Sequence, residues 1–175
     1  NQATRTGSTR LKELSTALRT QSRMEQEATP GVLLNEVVKE SMLLTGGRTK
    51  VHHLEEKLND VPAITCFRSK IGQVITNLLA NAADALSEKV QRLEGRSGEV
   101  FAGRIAVLSE STTKNGTPGV LLAVSDNGDG VPEDMRGKIF EEFYTTKPAG
   151  LGTGLGLSMC IDIVKEHGGI LSVTD

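Results

Sequence analysis

The sequence predicts an α+β domain, a two-layer sandwich in which helices cover one face of a mixed, mostly antiparallel sheet. The order of elements is the first observation, since one long apolar-periodic helix separates two groups of short strand-like runs. The second is size, because 175 residues with 37 % hydrophobic content can build one sizeable core. We therefore expect one compact domain with a modest extension.

Charge and cysteine content exclude several classes of protein. The 20 basic and 22 acidic residues give a net charge of -2, without the positive excess that binds nucleic acid or acidic lipid. Cys66 and Cys160 form no C-x-x-C motif, which fits a reducing, cytoplasmic setting. No apolar run approaches the roughly 20 residues that span a bilayer. We expect no direct membrane contact by this fragment, and any membrane anchor of the full-length parent lies elsewhere.

The first predicted element is a helical segment within residues 1–29. Its apolar residues keep roughly helical spacing before Thr29-Pro30-Gly31, namely Leu11, Leu14, Leu18 and Met24. A helix of about 18 residues with one apolar edge is marginal alone. We expect it to pack on another helix or on a second chain.

The main domain begins with a predicted helix, VLLNEVVKESMLL, that runs into Thr45-Gly46-Gly47. Strand-like segments follow at residues 51–58 and 64–67. The strongest helical pattern covers about residues 69–86 and contains IGQVITNLLANAADAL. The charged, glycine-containing residues 87–103 are predicted to form a loop.

The second half continues with two strands, RIAVLSES and VLLAVSD, which are predicted to form a hairpin across TTKNGTPG. Pro132 opens a predicted short helix through MRGKIFEEF. A Gly-rich stretch leads into a last helix, LSMCIDIVKEH, which Gly168-Gly169 ends before a predicted strand, ILSV.

Asn77 and Asn81 lie four residues apart on the long helix, so their amides project from one face. Mg²⁺ prefers oxygen ligands and keeps phosphate oxygens and waters, so one or two amide carbonyls beside a nucleotide triphosphate are chemically sufficient. The alternative is a solvated asparagine pair on a surface helix. If these two residues are considered without the other motifs, this alternative is favoured.

The stretch from Asp126 to Gly130, DNGDG, directly follows the apolar strand VLLAV. A partly buried carboxylate at the strand end needs a donor, and an adenine amino group would serve. Glycines at 128 and 130 would let a flat ring approach the backbone and allow positive φ. A plain hairpin turn remains the alternative. A calcium loop fails on spacing, because Gly128 and Gly137 occupy ligand positions.

The glycine-rich run 150–158, GLGTGLGLS, leads into the last helix and offers free N–H groups at its N-terminus. Its G-x-G-x-G spacing matches neither the Rossmann nor the P-loop fingerprint. Lys147 precedes the loop and could place a positive charge on a phosphate, or could simply be solvated. Phe140 and Phe143 are predicted to anchor the loop or to belong to the core.

The asparagine pair, the DNGDG stretch and the glycine-rich run, in this order, resemble the motifs of the catalytic, ATP-binding domain of sensor histidine kinases. These belong to the GHKL superfamily of gyrase-like, Hsp90-like and MutL-like ATPases, which share the Bergerat fold. The resemblance covers roughly residues 30–175. NLLANAADAL is similar to the N box, DNGDG to the first Gly box, FEEF to the F box and GTGLGL to the second Gly box.

The resemblance implies a site for ATP and Mg²⁺. It implies that Asn81 ligates Mg²⁺ with Asn77 beside it, that Asp126 binds adenine, and that Lys147 belongs to a phosphate lid with the glycines after it. Asn77, Asn81 and Lys147 are the expected catalytic residues. The full predicted ATP-binding set is Asn77, Asn81, Asp84, Asp126, Gly128, Gly130, Tyr144, Thr145, Thr146, Lys147, Gly152, Thr153, Gly154, Leu155 and Gly156.

Asn77 bears on the reaction. Hydrolytic relatives place an acidic base at that position, and an amide cannot take a proton, so transfer to an external nucleophile is favoured over hydrolysis. In the kinases the nucleophile is a histidine on a helical hairpin, and residues 11–28 resemble the tail of its second helix. His52, His53 and His167 lack the expected motif, and we predict structural roles for them. The acceptor histidine should therefore lie outside this fragment.

Two departures from the family pattern leave alternatives open. Asp84 stands where many members carry a basic residue near the phosphates, and the chain stops before the usual G-T-x-F strand. The alternatives are a degenerate ATP-binding scaffold and a Bergerat-fold ATPase of the gyrase or chaperone type. Expected partners of the kinase are the histidine-bearing dimerisation domain in cis or trans, a response regulator, and a second copy of the full-length protein.

Overall fold

A computed structural model describes residues 27–94, 100–114, 116–145 and 153–174. Its helices are α1 (Leu34–Thr49), α2 (Arg68–Glu94) and α3 (Gly156–Glu166). Its strands are β1 (Thr29–Val32), β2 (His53–Leu58), β3 (Ile64–Cys66), β4 (Arg104–Lys114) and β5 (Thr117–Asp126). Nearly all of the predicted first helical segment lies outside the described residues, so the two-part division of the chain stays a prediction.

The strands form two sheets. β1 pairs with β3 antiparallel, and β4 lies between β2, which it pairs in parallel, and β5, which it pairs antiparallel. The predicted hairpin is the β4–β5 pair, whose register runs from Ile105 opposite Asp126 to Lys114 opposite Thr117. The mixed, mostly antiparallel character of the fold prediction is confirmed.

The main core lies between α1, α2 and the strands. Along β4 the buried residues alternate, as expected of a strand with one face on a core. On this face the Ser109 hydroxyl donates a 2.7 Å hydrogen bond to Asn35 Oδ1 of α1. The fully enclosed side chains at the centre are Val38, Cys66, Ile75, Leu79, Leu86, Ile105 and Val107.

A smaller core joins α2 to α3. It consists of the buried residues Val74, Cys160 and Ile163, with partly buried neighbours around them. Because α3 begins within the glycine-rich run, at Gly156, this cluster sets where the end of that run meets α2. No helix in the described part of the chain combines the length and apolarity needed to cross a bilayer.

Both long helices differ from their predicted bounds. The residues before Leu34 pair with β3, so α1 starts later than predicted. It then continues through Gly46-Gly47 to Thr49, whose burial with Thr45 offsets the low helix propensity of glycine. The predicted loop at residues 87–103 is wrong for its first part, because α2 runs to Glu94. Tertiary contacts of Ser87 and Lys89 stabilise this extension.

Two further predictions were wrong at the C-terminal half. The short helix expected after Pro132 is a pair of 3-10 turns, Glu133–Met135 and Lys138–Phe140, separated at Gly137. The expected strand ILSV has no regular secondary structure. Within the described residues no strand pairs with it, and an unpaired segment cannot form a ladder.

Candidate functional site

Asn77 on α2 faces the beginning of α3. Its Nδ2 donates a hydrogen bond to Cys160 Sγ at 3.7 Å. Its Oδ1 lies 3.9 Å from the point that a Cβ on Gly156 would occupy. The structure thus brings the predicted N box and the end of the second Gly box together, although 79 positions separate residues 77 and 156.

Asn81 lies one turn further along α2 and is half-buried. Within the described residues its side-chain amide makes no hydrogen bond, whereas the amide of Asn77 does. No group of three or more His, Cys, Asp or Glu side chains in the described ranges could hold a metal ion. The sequence predicts the amide oxygens of Asn77 and Asn81 as metal ligands. In the described part of the chain neither oxygen accepts a hydrogen bond, so both remain available to a cation.

Asp126 ends β5 and opens the predicted first Gly box. The carboxylate is exposed rather than partly buried, which corrects the expectation from sequence. Its Oδ1 accepts a 2.8 Å hydrogen bond from the Gly128 N–H. A Cβ on Gly128 would lie 2.6 Å from that oxygen and 3.9 Å from the Ala85 Cβ on α2. A side chain at 128 would thus require the Asp126 carboxylate to move from this position.

Asn127, between them, has a structural role. Its Oδ1 accepts from the Arg104 N–H at 2.7 Å, and its Nδ2 donates to the Ala102 oxygen at 3.0 Å. These bonds fix the loop to the start of β4. Gly130 adopts the predicted positive φ, at 72°, and Gly128 does not.

The basic residues Lys89 and Arg92, near the end of α2, were missed in the sequence because their positions were assigned to a loop. Lys89 Nζ donates to the carbonyl oxygens of Asn127 and Gly128, each at 3.0 Å. Both basic residues also pair with the Asp129 carboxylate. The hydrogen bond from Arg92, followed by its charge and that of Lys89, holds the pKa of Asp129 below its usual value despite some desolvation. The available signal was their i, i+3 spacing on a continued helix.

Phe143 and Gly154 join the two sides of the predicted lid. The Phe143 N–H donates to the Gly154 oxygen at 2.9 Å, and both residues have φ of 65°. A Cβ on Gly154 would collide with the Phe143 backbone. The Phe143 side chain is 69 % exposed, so it is the backbone of this residue that contacts the loop.

The rest of the lid is described only in part. Thr146, Lys147 and Gly152 lie outside the described residues, while Tyr144 and Thr145 directly follow Phe143. The Leu155 N–H donates to Thr153 Oγ1 at 3.4 Å, ahead of the helix start at Gly156. The first turn of α3, an 11-residue helix, points its unpaired N–H groups towards this loop, which suits an anion.

Cys160 lies beneath the contact between α2 and α3. Burial raises the pKa of its thiol to about 11, with the Asn77 hydrogen bond acting in the opposite direction. The Cys160 side chain is therefore a neutral thiol at physiological pH and serves as packing.

Asp84 forms an ion pair with Arg48 of α1, with 3.5 Å between Nη1 and Oδ2. Its proposed contact with ATP stays a prediction. The pair does place a guanidinium beside the position at which many family members carry a basic side chain.

The three histidines occupy structural positions. His52 contacts Ser87 Oγ at 3.2 Å and precedes β2 instead of lying in it, while His53 begins β2. His167 follows α3, and its Nε2 accepts from the Phe67 N–H at 3.0 Å. Its Nδ1 lies 2.7 Å from the Ile163 oxygen. Because a ring nitrogen that accepts carries no proton, Nε2 is the acceptor of this imidazole and Nδ1 is the nitrogen placed to donate to Ile163.

Comparison with known proteins agrees with the resemblance that the motifs indicate. Residues 67–175 match the family described as Histidine kinase-, DNA gyrase B-, and HSP90-like ATPase. The sensory histidine kinase/phosphatase NtrB of Azospirillum brasilense is 34 % identical over 127 residues, which are 73 % of this chain and 31 % of that protein. The signal transduction histidine-protein kinase AtoS of Escherichia coli is 31 % identical over 145 residues, or 81 % of this chain and 21 % of AtoS.

Solved structures agree. The nucleotide-free catalytic domain of histidine kinase ThkA is 30 % identical with a TM-score of 0.65, covering 84 % of this chain and 88 % of that one. The mycobacterial sensor histidine kinase MprB is 26 % identical with a TM-score of 0.63, covering 83 % of both chains. The chain spans less than a third of the length of NtrB and AtoS.

The chain therefore belongs to the family of histidine kinase-, DNA gyrase B- and HSP90-like ATPases. Within that family it is an ATP-binding catalytic domain of the sensor histidine kinase type, as its relatives and its structural neighbours show.

Proposed function

We propose that this domain binds Mg²⁺-ATP and transfers the γ-phosphoryl group to a histidine that lies outside the fragment. The observation that carries the proposal is the arrangement along α2. This one helix holds Asn77 beside Gly156 and Ala85 beside Gly128, so parts of all three sequence motifs lie along it. Such convergence of a neutral oxygen pair, an exposed carboxylate and a helix N-terminus suits a triphosphate nucleotide.

Each motif has a role in this proposal. Asp126 accepts a hydrogen bond from the adenine amino group, since it is exposed and no group in the described part of the chain donates to its second oxygen. Asn77 and Asn81 offer amide oxygens to Mg²⁺, which neutralises phosphate charge when bound. Gly128 and Gly130 flank the base. Lys147 and the lid residues from Tyr144 to Gly156 surround the phosphates.

The residues fit Mg²⁺ on chemical grounds. A metal held only by protein would need several anionic ligands, and no such cluster occurs in the described ranges. Two adjacent amides suit a cation that arrives with its phosphate oxygens. The expected second amide, Asn81, keeps its side chain unengaged in the described part of the chain.

The type of reaction follows from the absence of a side chain that can act as a base at Asn77. An amide at that position does not remove a proton from water, so the domain is poorly equipped for hydrolysis. The proposed step forms a bond between a histidine ring nitrogen and the γ-phosphorus and breaks the bond from that phosphorus to the β-γ bridging oxygen. ADP leaves, and the domain's own residues position the nucleotide and exclude water.

The partners belong to the same proposal. The histidine is supplied by a dimerisation domain in cis or trans, and the phosphoryl group passes to a response regulator through the full-length kinase, acting as a homodimer. Support comes from the sensor and two-component names of the relatives. We place the domain in the cytoplasm, where ATP is available, with no nucleic-acid partner and no direct membrane contact by this fragment.

Calorimetric titration tests the nucleotide site directly. The non-hydrolysable analogue AMP-PNP is titrated into the chain with Mg²⁺ and then with EDTA. We expect binding that strengthens with Mg²⁺, and we expect Asn81→Ala to remove most of that Mg²⁺ dependence. Lys39→Met on the exposed face of α1 is a control that should bind as the unchanged chain does.

Three outcomes would redirect the proposal. No binding of any nucleotide would contradict it. Binding without phosphoryl transfer to a supplied histidine hairpin would favour the degenerate scaffold. Steady release of phosphate from ATP without an acceptor would favour a hydrolase of the gyrase or chaperone type.

A further inference from the structure

The Lys89 side chain contacts three consecutive residues of the loop that follows Asp126. Its ammonium group donates to the carbonyl oxygens of both Asn127 and Gly128 at 3.0 Å and lies 3.4 Å from Asp129 Oδ1. The side chain is only 19 % exposed. Its ammonium also stands 4.5 Å from the centre of the Phe101 ring. All three donor protons of this ammonium thus have acceptors in one place.

The two carbonyls that Lys89 holds belong to the peptide units around Gly128. The N–H of the same residue donates to Asp126 Oδ1. A rotation of the Gly128 peptides would therefore break the hydrogen bonds to Lys89 and, at the same time, remove the N–H that orients the Asp126 carboxylate. Gly128 has no side chain to resist such a rotation, so the restraint has to come from outside the loop.

We infer that Lys89 is a positioning residue for adenine, which holds the Asp126 carboxylate in its binding orientation by fixing the backbone of residues 127–129. This inference rests on the proposed nucleotide site and adds a residue to it. Preorganisation of this kind raises affinity because the ordering cost is met during folding and not on binding.

Arg92 has a lesser part. Among the described residues it pairs only with Asp129, and the two side chains are 47 % and 52 % exposed, so water and salt screen their attraction. It contacts neither carbonyl in the loop. Substitution of Arg92 should consequently have a much smaller effect on nucleotide affinity than substitution of Lys89.

Lys89→Met tests the inference, because methionine keeps an unbranched apolar stem and removes the three donors. We expect its affinities for AMP-PNP and for ADP to fall by the same factor. That factor is about tenfold, which corresponds to the loss of one partly buried charged hydrogen bond. Lys89→Arg should restore part of the loss. Arg92→Met and the exposed-surface control Lys39→Met should stay within about twofold.

The measurement is calorimetric titration of the 175-residue chain and its variants, with circular dichroism to establish that each is folded at the titration temperature. If Lys89→Met does not fold, Lys89→Gln carries the same test, with a loss intermediate between methionine and arginine. Unchanged affinity in Lys89→Met would overturn the inference alone. A loss confined to AMP-PNP would also overturn it, since Lys89 would then be acting on the phosphates.

The two levels of the proposal remain distinguishable. If the unchanged chain binds neither ADP nor AMP-PNP, the proposed function fails and the inference fails with it. If the unchanged chain binds both and Lys89→Arg is no better than Lys89→Met, the donors of this side chain do not position the loop.

Discussion

At one end of the site, the loop from Asp126 to Asp129 is held by hydrogen bonds from Lys89 of α2 and from the Arg104 N–H of β4, two elements of the main core. At the other end, Gly154 and Gly156 meet α2 through a small cluster of three buried side chains and a long amide–sulfur contact. The first end is specified by many polar contacts of short length. The second is specified by helix packing and by one backbone contact, at Phe143.

This difference teaches which interactions each end requires. The end of the site at Asp126 is as stable as the main core, because the residues that anchor it lie on α2 and β4. The glycine-rich end depends on where α3 sits, since the first turn of that helix supplies the N–H groups. A change in the main core should therefore affect both ends, while changes beside Gly154 or Cys160 should affect one.

The largest expected effect is a loss of stability in the main core, which supports both ends of the site. Leu79 is fully buried at the centre of the main core on α2. Leu79→Ala should lower the free energy of unfolding by about 2–5 kcal/mol through lost burial and a cavity. Urea denaturation measures this, and Leu43→Ala, at a position 82 % exposed, is the matched control expected within about 0.5 kcal/mol. Equal effects of the two substitutions would contradict the assigned core.

Asp126→Asn separates the carboxylate end from the rest. The asparagine oxygen can still accept from Gly128, so the loop keeps its shape, but an amide donor then faces the adenine amino group. We expect nucleotide affinity to fall about 100-fold with little change in stability. Asp162→Asn, at an exposed position of α3, is the control in the same calorimetric assay. Wild-type affinity in Asp126→Asn would remove Asp126 from the site.

Gly154→Ala tests the glycine-rich end. A methyl group there would meet the Phe143 backbone, and the residue has φ of 65°. We expect transfer to a supplied histidine hairpin to fall about tenfold, since misplacement of the reacting groups is costly, while ADP affinity changes less.

The matched control for this substitution is Gly116→Ala. Gly116 also has a positive φ, of 80°, but a Cβ on it would meet open space. It should show the cost of backbone strain alone, about 1 kcal/mol in stability, with transfer unchanged. Similar losses of transfer in both variants would show that the Phe143 contact is irrelevant.

The smallest effect concerns pH at the contact of α2 with α3. The folded-state pKa of Cys160 is raised to about 11 from an ordinary value of 9.0. Below pH 9 the thiol is neutral in both states, and above it the unfolded chain ionises first. Stability should thus fall as pH rises, by about 1 kcal/mol between pH 9 and 10. Cys160→Ala should remove this part of the slope in urea titrations under reducing conditions, and an unchanged slope would contradict the buried position.

Much of the site was predictable because its parts are local. The Asn77 and Asn81 spacing, the DNGDG turn after a strand and the glycines before a helix are patterns within a few residues of one another. The β4–β5 hairpin was predictable for the same reason. The helix end at residue 94 was not, because Lys89 and Arg92 are stabilised by partners at 127–129 that only the fold brings near.

The sequence by itself determined the class of fold, the order of the motifs and the family, since each depends on residue types at short spacing. Only the tertiary structure decided that Asp84 pairs with Arg48 and that Asn77 meets Gly156. The physical reason is that such contacts join segments distant in the chain, and their geometry is set by how α1 and α3 pack on α2.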